Sequence, residues 1–376
     1  MNTALRWSKL KKTGNYSFVT TFTAAVLAIF LMPFLYMVLM SLKTPAQISI
    51  GGPIWPAARP EFVFNGENTG TYTFEVEQSG SLNQVTLDMN EFVGEVMYVY
   101  TVPLPDGSTR DLALVRGFAK QSIFLDPAHP GQELILWEGS YRSLERPWTF
   151  FPAWDNYARV WNELNYPRLL WNTFFYAFST TIGILFSCIL VAFGFSRFRF
   201  PGRDLLFVLL ISTIFLPGAV TVIPTFTFFT KIGWVGTWLP LIVPSFFANA
   251  YDTFLLRQYF MTLPRELDEA AMIDGASPLR VLWSVIIPQS YAAIVAVSIF
   301  HIVWAWNDYF GPLIYLTTKL DSQPISVALA RFNGMWGQQP QLIQAGALMT
   351  LIIPLVIFFA AQRFFIQGIV ITGVEK

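Results

Sequence analysis

Charge is scarce in this chain. Only 13% of its 376 residues are Asp, Glu, Lys or Arg, against 54% hydrophobic, whereas a soluble domain carries about 25% charged. Such a sequence cannot cover itself with a solvated surface, so a bilayer is expected to take up much of it. Acidic and basic residues balance at 24 each, which lacks the basic footprint of a nucleic-acid binder. Cysteine is nearly absent. Cys188 stands alone inside an apolar run, which excludes an intramolecular disulfide and a Cys-cluster metal site. The two histidines, His129 and His301, lie far apart, so a catalytic or zinc histidine constellation is not expected. Neither G-x-x-x-x-G-K-[ST] nor G-x-S-x-G occurs. The chain therefore offers no phosphate-cradling loop and no nucleophile elbow, and no cofactor is expected on it.

What is present is long and apolar. A membrane helix needs about 20 mostly apolar residues, and six runs qualify: residues 18–42, 169–195, 205–229, 238–260, 285–316 (broken near Asn307) and 342–365. The first run exceeds the roughly 7–15 residues of a signal-peptide core and lacks a small-x-small cleavage site, so it reads as an uncleaved span. Six spans put both termini on one side. The positive-inside rule makes that side cytoplasmic. Arg6, Lys9, Lys11 and Lys12, then Arg197, Arg199 and Arg203, then Arg257, Arg265 and Arg280, then Arg363 and Lys376 fall on it, leaving only Lys231, Lys319 and Arg331 to the short outer loops. Prolines recur inside the runs, among them Pro33, Pro217, Pro224, Pro244, Pro312 and Pro354. Membranes tolerate such breaks where neighbouring helices or a wet cavity satisfy the freed backbone.

Between the first two spans the pattern changes. Period-2 alternation rich in branched and aromatic residues appears at 71–77, 83–89, 95–102, 111–117 and 133–139, which predicts strands. Pro105-Asp106-Gly107 is turn chemistry between two of them. The expected organisation is residues 1–43 as cytoplasmic N-terminus and first span, 44–164 as an extracytoplasmic β-rich insert, and 165–376 as the helical membrane core. The insert is either a spacer or a docking surface, and alternation does not choose.

The loop at 262–288 is more ordered than a connector needs to be. Pro264 suits a first helical turn. Glu266, Asp268 and Glu269 place negative charge near the N-terminal end, where the macrodipole favours it. Leu263, Leu267, Ala270 and Ala271 fall at helical spacing as a narrow apolar stripe. Gly275 suits a left-handed C-terminal cap, and Ser277-Pro278 restarts a helix as cap and first position. On these grounds the loop is a helix, a glycine turn and a second helix. It is either an interfacial amphipathic segment or a docking helix.

Glu269, Ala270, Ala271, Asp274, Gly275, Ala276 and a hydrophobic-Pro ending at Pro288 resemble the EAA loop of ABC-importer permeases. Residues 306–318 and the C-terminal stretch are similar to sugar-importer permeases, nearest in type to the smaller permease of maltose-like systems. The resemblance covers 155–376 well and 13–47 weakly, and the β-rich insert departs from it. It implies an all-α polytopic fold with six transmembrane helices and a loop that acts as a coupling helix. There Glu269 would supply polar contacts and Gly275 the turn. The implied partners are two cytoplasmic ATPase subunits, which bind the ATP, a second permease of a different chain, and an extracytoplasmic solute-binding protein. The tail from Gly368 to Lys376 would also touch the ATPase.

Polar residues inside spans are candidate path residues. These are Asn249 and Asp252 in the fourth, and Asn307 and Asp308 in the fifth, where Trp304 could stack on a sugar. They could equally satisfy the broken helix. The reading is thus an inner-membrane, multi-pass permease of a carbohydrate importer. Glycerol phosphate is an alternative solute. A secondary transporter would want an acidic relay and an internal repeat, and neither is evident.

Overall fold

The structure is a computed structural model and describes residues 2–67, 70–78, 81–334 and 337–370. The side chains of Arg6, Lys9, Lys11, Lys12 and Arg363, and the tail from Ile371 onward, lie outside the described residues. The chain divides into two compact units, Met1–Trp154 and Asp155–Lys376.

The first unit opens with helix α1 (Asn2–Ser41), of which Val19–Ser41 is long and apolar enough to cross a membrane. A short helix α2 (Pro45–Ile50) follows. Thr44 caps it by accepting from the Gln47 amide, and Pro45 takes the first turn, where its missing N–H costs nothing. The strands are β1 (Ala57–Ala58), β2 (Glu61–Val63), β3 (Thr71–Gln78), β4 (Ser81–Asp88), β5 (Val96–Pro103), β6 (Thr109–Gly117), β7 (Gln121–Leu125), β8 (Ile135–Glu138) and β9 (Thr149–Phe150). All pair antiparallel: a five-stranded sheet in the order β2-β5-β6-β7-β8, a β3-β4 hairpin and a β1-β9 pair. The β5-β6 connection is the turn the sequence predicts. Gly107 sits at φ +81°, and Asp106 Oδ1 accepts from the Ser108 amide at 2.9 Å and its hydroxyl at 2.6 Å. Phe64, Leu87, Met89, Met97, Ile123 and Leu125 bury one core. Strand β7 escapes the alternation rule because four of its five residues are buried, so it reads as a short apolar run without period.

The second unit is helical. Its helices are α3 (Asp155–Glu163), α4 (Tyr166–Arg197), α5 (Arg203–Ser212), α6 (Gly218–Lys231), α7 (Leu239–Ile242), α8 (Ala250–Thr262), α9 (Glu266–Ile273), α10 (Pro278–Val281), α11 (Ile287–Gln289), α12 (Tyr291–Asn307), α13 (Phe310–Tyr315), α14 (Ile325–Ala328) and α15 (Pro340–Val370), with a small β10-β11 pair (Asn333–Gly334, Gly337–Gln338) before the last. Helix α3, expected in the β-rich segment, belongs to this unit, and its Val160 packs with Leu169 of α4 and Leu342 and Ala345 of α15.

Among the described residues four helical stretches are long and apolar enough to span, namely Val19–Ser41, Tyr166–Arg197, Leu239–Thr262 and Pro340–Gln362, and six spans result only if two bent pairs each count as one. The expected third span is bent by 97° between Arg203–Phe215 and Gly218–Lys231. Pro217 has no N–H to continue the ladder, and it drives Leu216 into an extended conformation. The expected fifth span is bent by 80° between Pro278–Gln289 and Tyr291–Asn307, in addition to its end at Asn307. Pro288 leaves the Ser284 carbonyl without its helical donor, and the turns before it widen to π winding over Leu282–Ile286.

Candidate functional site

Helix α9 is short, and its ends decide its position. At its C-terminus Gly275 takes φ +85°, donating its amide to Met272 O at 3.0 Å while Ala276 donates to Ala271 O at 2.9 Å. This pair of reverse bonds is a Schellman cap, and glycine is the residue that adopts its left-handed position without a Cβ penalty. Ala271 and Ala276 close the cap by packing on the same core. Beyond it, Ser277 accepts from the Arg280 amide and Pro278 starts α10. Helix α9 itself begins at Glu266, with Pro264 outside its first turn and no side-chain cap on Arg265.

The predicted apolar stripe is only partly a packing face. Leu263 and Ala271 turn inward, whereas Leu267 and Ala270 are exposed. Glu266, Glu269, Asp274, Met272 and Ile273 are also exposed, Ile273 at 85%. One loop therefore presents carboxylates and bare apolar side chains together. Inward, Val281, Leu282 and Ile286 join Cys188 and Phe193 of α4, Leu256 and Phe260 of α8 and Val297 of α12 in one core. The loop is built into the helical bundle.

Sequence reasoning missed the residue that locks it. Asp268 lies on the inward face, its Oδ2 at 2.9 Å from Arg197 Nε, with side chains only 10% and 7% exposed. The Arg197 fork also donates to Leu263 O at 3.3 Å. Burial pushes the Asp268 carboxyl above the ordinary carboxylate range, against the pull of Arg197 and Arg265. An acidic residue in a polar helix is ordinarily solvated, and its partner lies 71 positions upstream at the end of α4. The only available hint is the helical spacing that puts Asp268 on the face of Ala271.

A second region lies within the bundle. A cavity of about 560 Å³ is lined by Tyr176, Asn249, Tyr251, Asp252, His301 and Trp304, among others. Three of the five predicted path residues, Asn249, Asp252 and Trp304, thus share one space. Asn249 caps α8: its Oδ1 accepts from the Asp252 amide at 2.8 Å and its Nδ2 donates to Asp252 Oδ2 at 2.7 Å. His301 was not predicted. It is 9% exposed, and its Nε2 has no hydrogen-bond partner among the described residues. Its ring centroid lies 5.4 Å from that of Trp304.

Asn307 and Asp308 do not line this cavity. Asn307 donates to Val303 O at 2.8 Å. Asp308 accepts from Tyr176 Oη at 2.6 Å and from the Gly311 amide at 3.3 Å, while its carbonyl accepts from Ser326. These contacts hold the break between α12 and α13, the structural role open to them in the sequence.

Residues 171–370 match the family described as binding-protein-dependent transport system inner membrane component. The chain is 33% identical over 222 residues to an osmoprotective compounds uptake permease, GgtD, from Synechocystis sp., covering 59% of this chain and 74% of the relative. It is 35% identical over 244 residues to the sn-glycerol-3-phosphate transport system permease UgpE of Salmonella typhi, covering 60% and 84%. Among solved structures, the fold is similar to a chain of a bacterial ABC transporter involved in the import of the acidic polysaccharide alginate. That match has a TM-score of 0.59 at 17% identity and covers 96% of this chain and 98% of that one. The capped loop and the bundle beneath it both fall within the matched segment, and the chain belongs to the family of binding-protein-dependent transport system inner membrane components.

Proposed function

We propose that this chain is one permease subunit of an ATP-driven importer for sugars or related polyols, and that α9 is the surface through which a separate ATPase moves it. The observation that carries this reading is the construction of the loop. Its outer face offers Glu266, Glu269 and Asp274 beside exposed Met272 and Ile273, while its inner face is joined to the bundle by a Schellman cap, a shared core and the Arg197–Asp268 pair. A loop joined in this way transmits a push as a rigid element, which a mechanical coupling requires. With no phosphate-binding loop in the sequence, ATP binding is assigned to the partner.

Two ATPase subunits, a second permease of a different chain and an extracytoplasmic solute-binding protein complete the assembly. Both termini are then cytoplasmic, and residues 44–154 form an extracytoplasmic insert. The cavity bounded by Asn249, Asp252, His301 and Trp304 is the candidate path. Its lining holds a carboxylate and an imidazole but no Lys or Arg, which suits an uncharged hydroxylated solute better than a phosphate ester. The name of the Salmonella relative makes glycerol phosphate the second reading.

The test is purification of the chain from its native membrane in mild detergent, followed by assay for co-purifying ATPase and for transport in proteoliposomes. Glu269→Ala and Gly275→Asp should weaken ATPase association or uncouple hydrolysis from transport. An unmodified chain that recovers no ATPase while other complexes survive the same extraction refutes the reading.

A further inference from the structure

The β-rich unit carries an arginine cluster that transport does not use. Arg59, Arg142 and Arg146 line one concavity of about 630 Å³ together with Tyr100, Tyr141 and Trp148. Each guanidinium is laid over an aromatic ring: Arg59 over Trp148 at 4.9 Å, Arg146 over Tyr98 at 4.3 Å and Arg142 over Tyr141 at 5.8 Å. Stacking of this kind orients the planar fork and leaves its edge donors free for an oxyanion. Carboxylates make little use of those donors. Among the described residues Arg59 and Arg142 have none within ion-pair distance, and Arg146 reaches Glu61 only at 3.8 Å. The buried Nε atoms of Arg59 and Arg146 have no hydrogen-bond partner among the described residues. Against three arginines the concavity holds one carboxylate, Glu145.

Immediately beside it lies an apolar rim. Ile54, Trp55, Phe150, Phe151 and Trp154 are exposed at 75, 54, 70, 55 and 65%. This rim is tied to the end of the α1 span. Ala153 donates its amide to Leu42 O at 2.8 Å, Lys43 Nζ donates to Pro53 O at 2.9 Å, and buried Gln47 bonds to Pro53 O, Trp55 O and the Ala57 amide. Exposed Trp at a span end settles at the boundary between acyl chains and headgroups, and Phe beside it suits the apolar side of that boundary. Trp148, with Arg59 stacked on it, lies two residues before Phe150 in the sequence. The headgroup layer is roughly 5–7 Å deep on each face of the bilayer, within the reach of an arginine side chain. Arg59 is thus stacked on a residue that lies within two positions in sequence of side chains that favour the acyl boundary, and Arg142 and Arg146 share its concavity.

We propose that the Arg59–Arg142–Arg146 concavity binds the phosphate of a phospholipid headgroup, with the rim of Trp55, Phe150, Phe151 and Trp154 seated on its acyl chains. The inference rests on α1 as a membrane span and is independent of the transport reading. The site anchors the β-rich unit to the bilayer surface through charge as well as apolar contact.

Calorimetric titration of the full-length chain in detergent tests it, with three probes: dihexanoyl-phosphatidylglycerol, uncharged dihexanoylglycerol and inorganic phosphate. The phospholipid should bind, and Arg59→Gln combined with Arg146→Gln should weaken it about ten- to a hundredfold, the loss expected for charge-assisted hydrogen bonds. Inorganic phosphate should bind at least tenfold more weakly than the lipid, because it cannot reach the rim. Arg142→Gln gives an independent reading if the double variant misfolds, since Arg142 is exposed and is engaged only locally, by a side-chain hydrogen bond and a 5.8 Å stack with neighbouring Tyr141. It too should weaken the lipid. Unchanged lipid binding in the arginine variants overturns the proposal. So does dihexanoylglycerol binding as tightly as the phospholipid, which would leave the rim alone responsible. Inorganic phosphate matching the lipid would replace it with a site for a soluble anion.

Discussion

Replacing Arg197 by Met, alone and together with Asp268→Leu, tests the clamp between α4 and α9. At 2.9 Å two unit charges attract by about 6 kcal/mol at an effective dielectric of 20. Removing them from water costs several kcal/mol per ion. The two effects are comparable, and the elevated Asp268 pKa shows burial outweighing attraction on the carboxylate side. Arg197→Met leaves that carboxylate buried without its partner, which costs about 3–5 kcal/mol at neutral pH. For a unit of 222 residues (155–376), at about 2–4 °C per kcal/mol, Tm falls by roughly 6–20 °C.

The sign with pH follows from linkage. Without Arg197 the folded-state pKa of Asp268 rises further above its unfolded value of about 3.9. The native state then binds the proton more readily, so stability is fully present below the unfolded value and is lost as pH rises through the folded one. The deficit of Arg197→Met should therefore shrink in acid and grow toward neutrality. Arg197→Met/Asp268→Leu removes both charges. It should recover stability to within about 1 kcal/mol of the unmodified protein or exceed it, as buried pairs replaced by apolar groups do, even though the bonds to Leu263 O are lost. Thermal unfolding in detergent across pH reads stability, and the ratio of ATP hydrolysed to solute moved in proteoliposomes reads coupling. A double variant less stable than the single one, or a single variant whose deficit is independent of pH, refutes the argument. Retained coupling in a stable double variant would show that the pair is not the clamp.

Four further outcomes are expected. Gly275→Ala forces a Cβ into φ +85° and should cost about 1–2 kcal/mol, with a proportionate loss of coupling in the same hydrolysis-to-transport ratio. Gly183→Leu should be worse, about 1–3 kcal/mol by overpacking as read by thermal unfolding, because a Cβ there already overlaps Ser245 Oγ and the Phe246 ring. Tyr176→Phe removes a 2.6 Å bond to Asp308 and should cost about 1.5–3 kcal/mol by the same measurement, whereas Trp304→Ala, in the cavity, should raise the KM for transport with little change in Tm.

Some of this architecture is legible because it depends on neighbours in sequence. The apolar runs, the alternation of β3 to β6, the Pro105-Asp106-Gly107 turn, and the Gly275 and Ser277-Pro278 caps all arise from local rules of periodicity and backbone sterics. Pro217 and Pro288 also stand in plain view. Their consequence as bends of 97° and 80° is less visible, since a proline in an apolar run ends, kinks or merely strains a helix according to what packs around it. Strand β7 loses its period because both of its faces are buried.

The candidate site divides in the same way. Residue types and spacing marked Glu269, Gly275 and Asp252 as worth attention. That Asp268 turns inward to meet Arg197, that His301 lines one cavity with Asn249, Asp252 and Trp304, and that Asn307 and Asp308 hold a helix break instead are matters of distance between segments remote in the chain. The same holds for Arg59 and Arg146, 87 positions apart, which become one site only when β1 pairs with β9. By itself the sequence determined a membrane protein with a β-rich segment and an ordered loop, because hydropathy and turn chemistry act over a few residues. Only the tertiary structure decided which charges are buried together, because that depends on which helices and strands end up side by side.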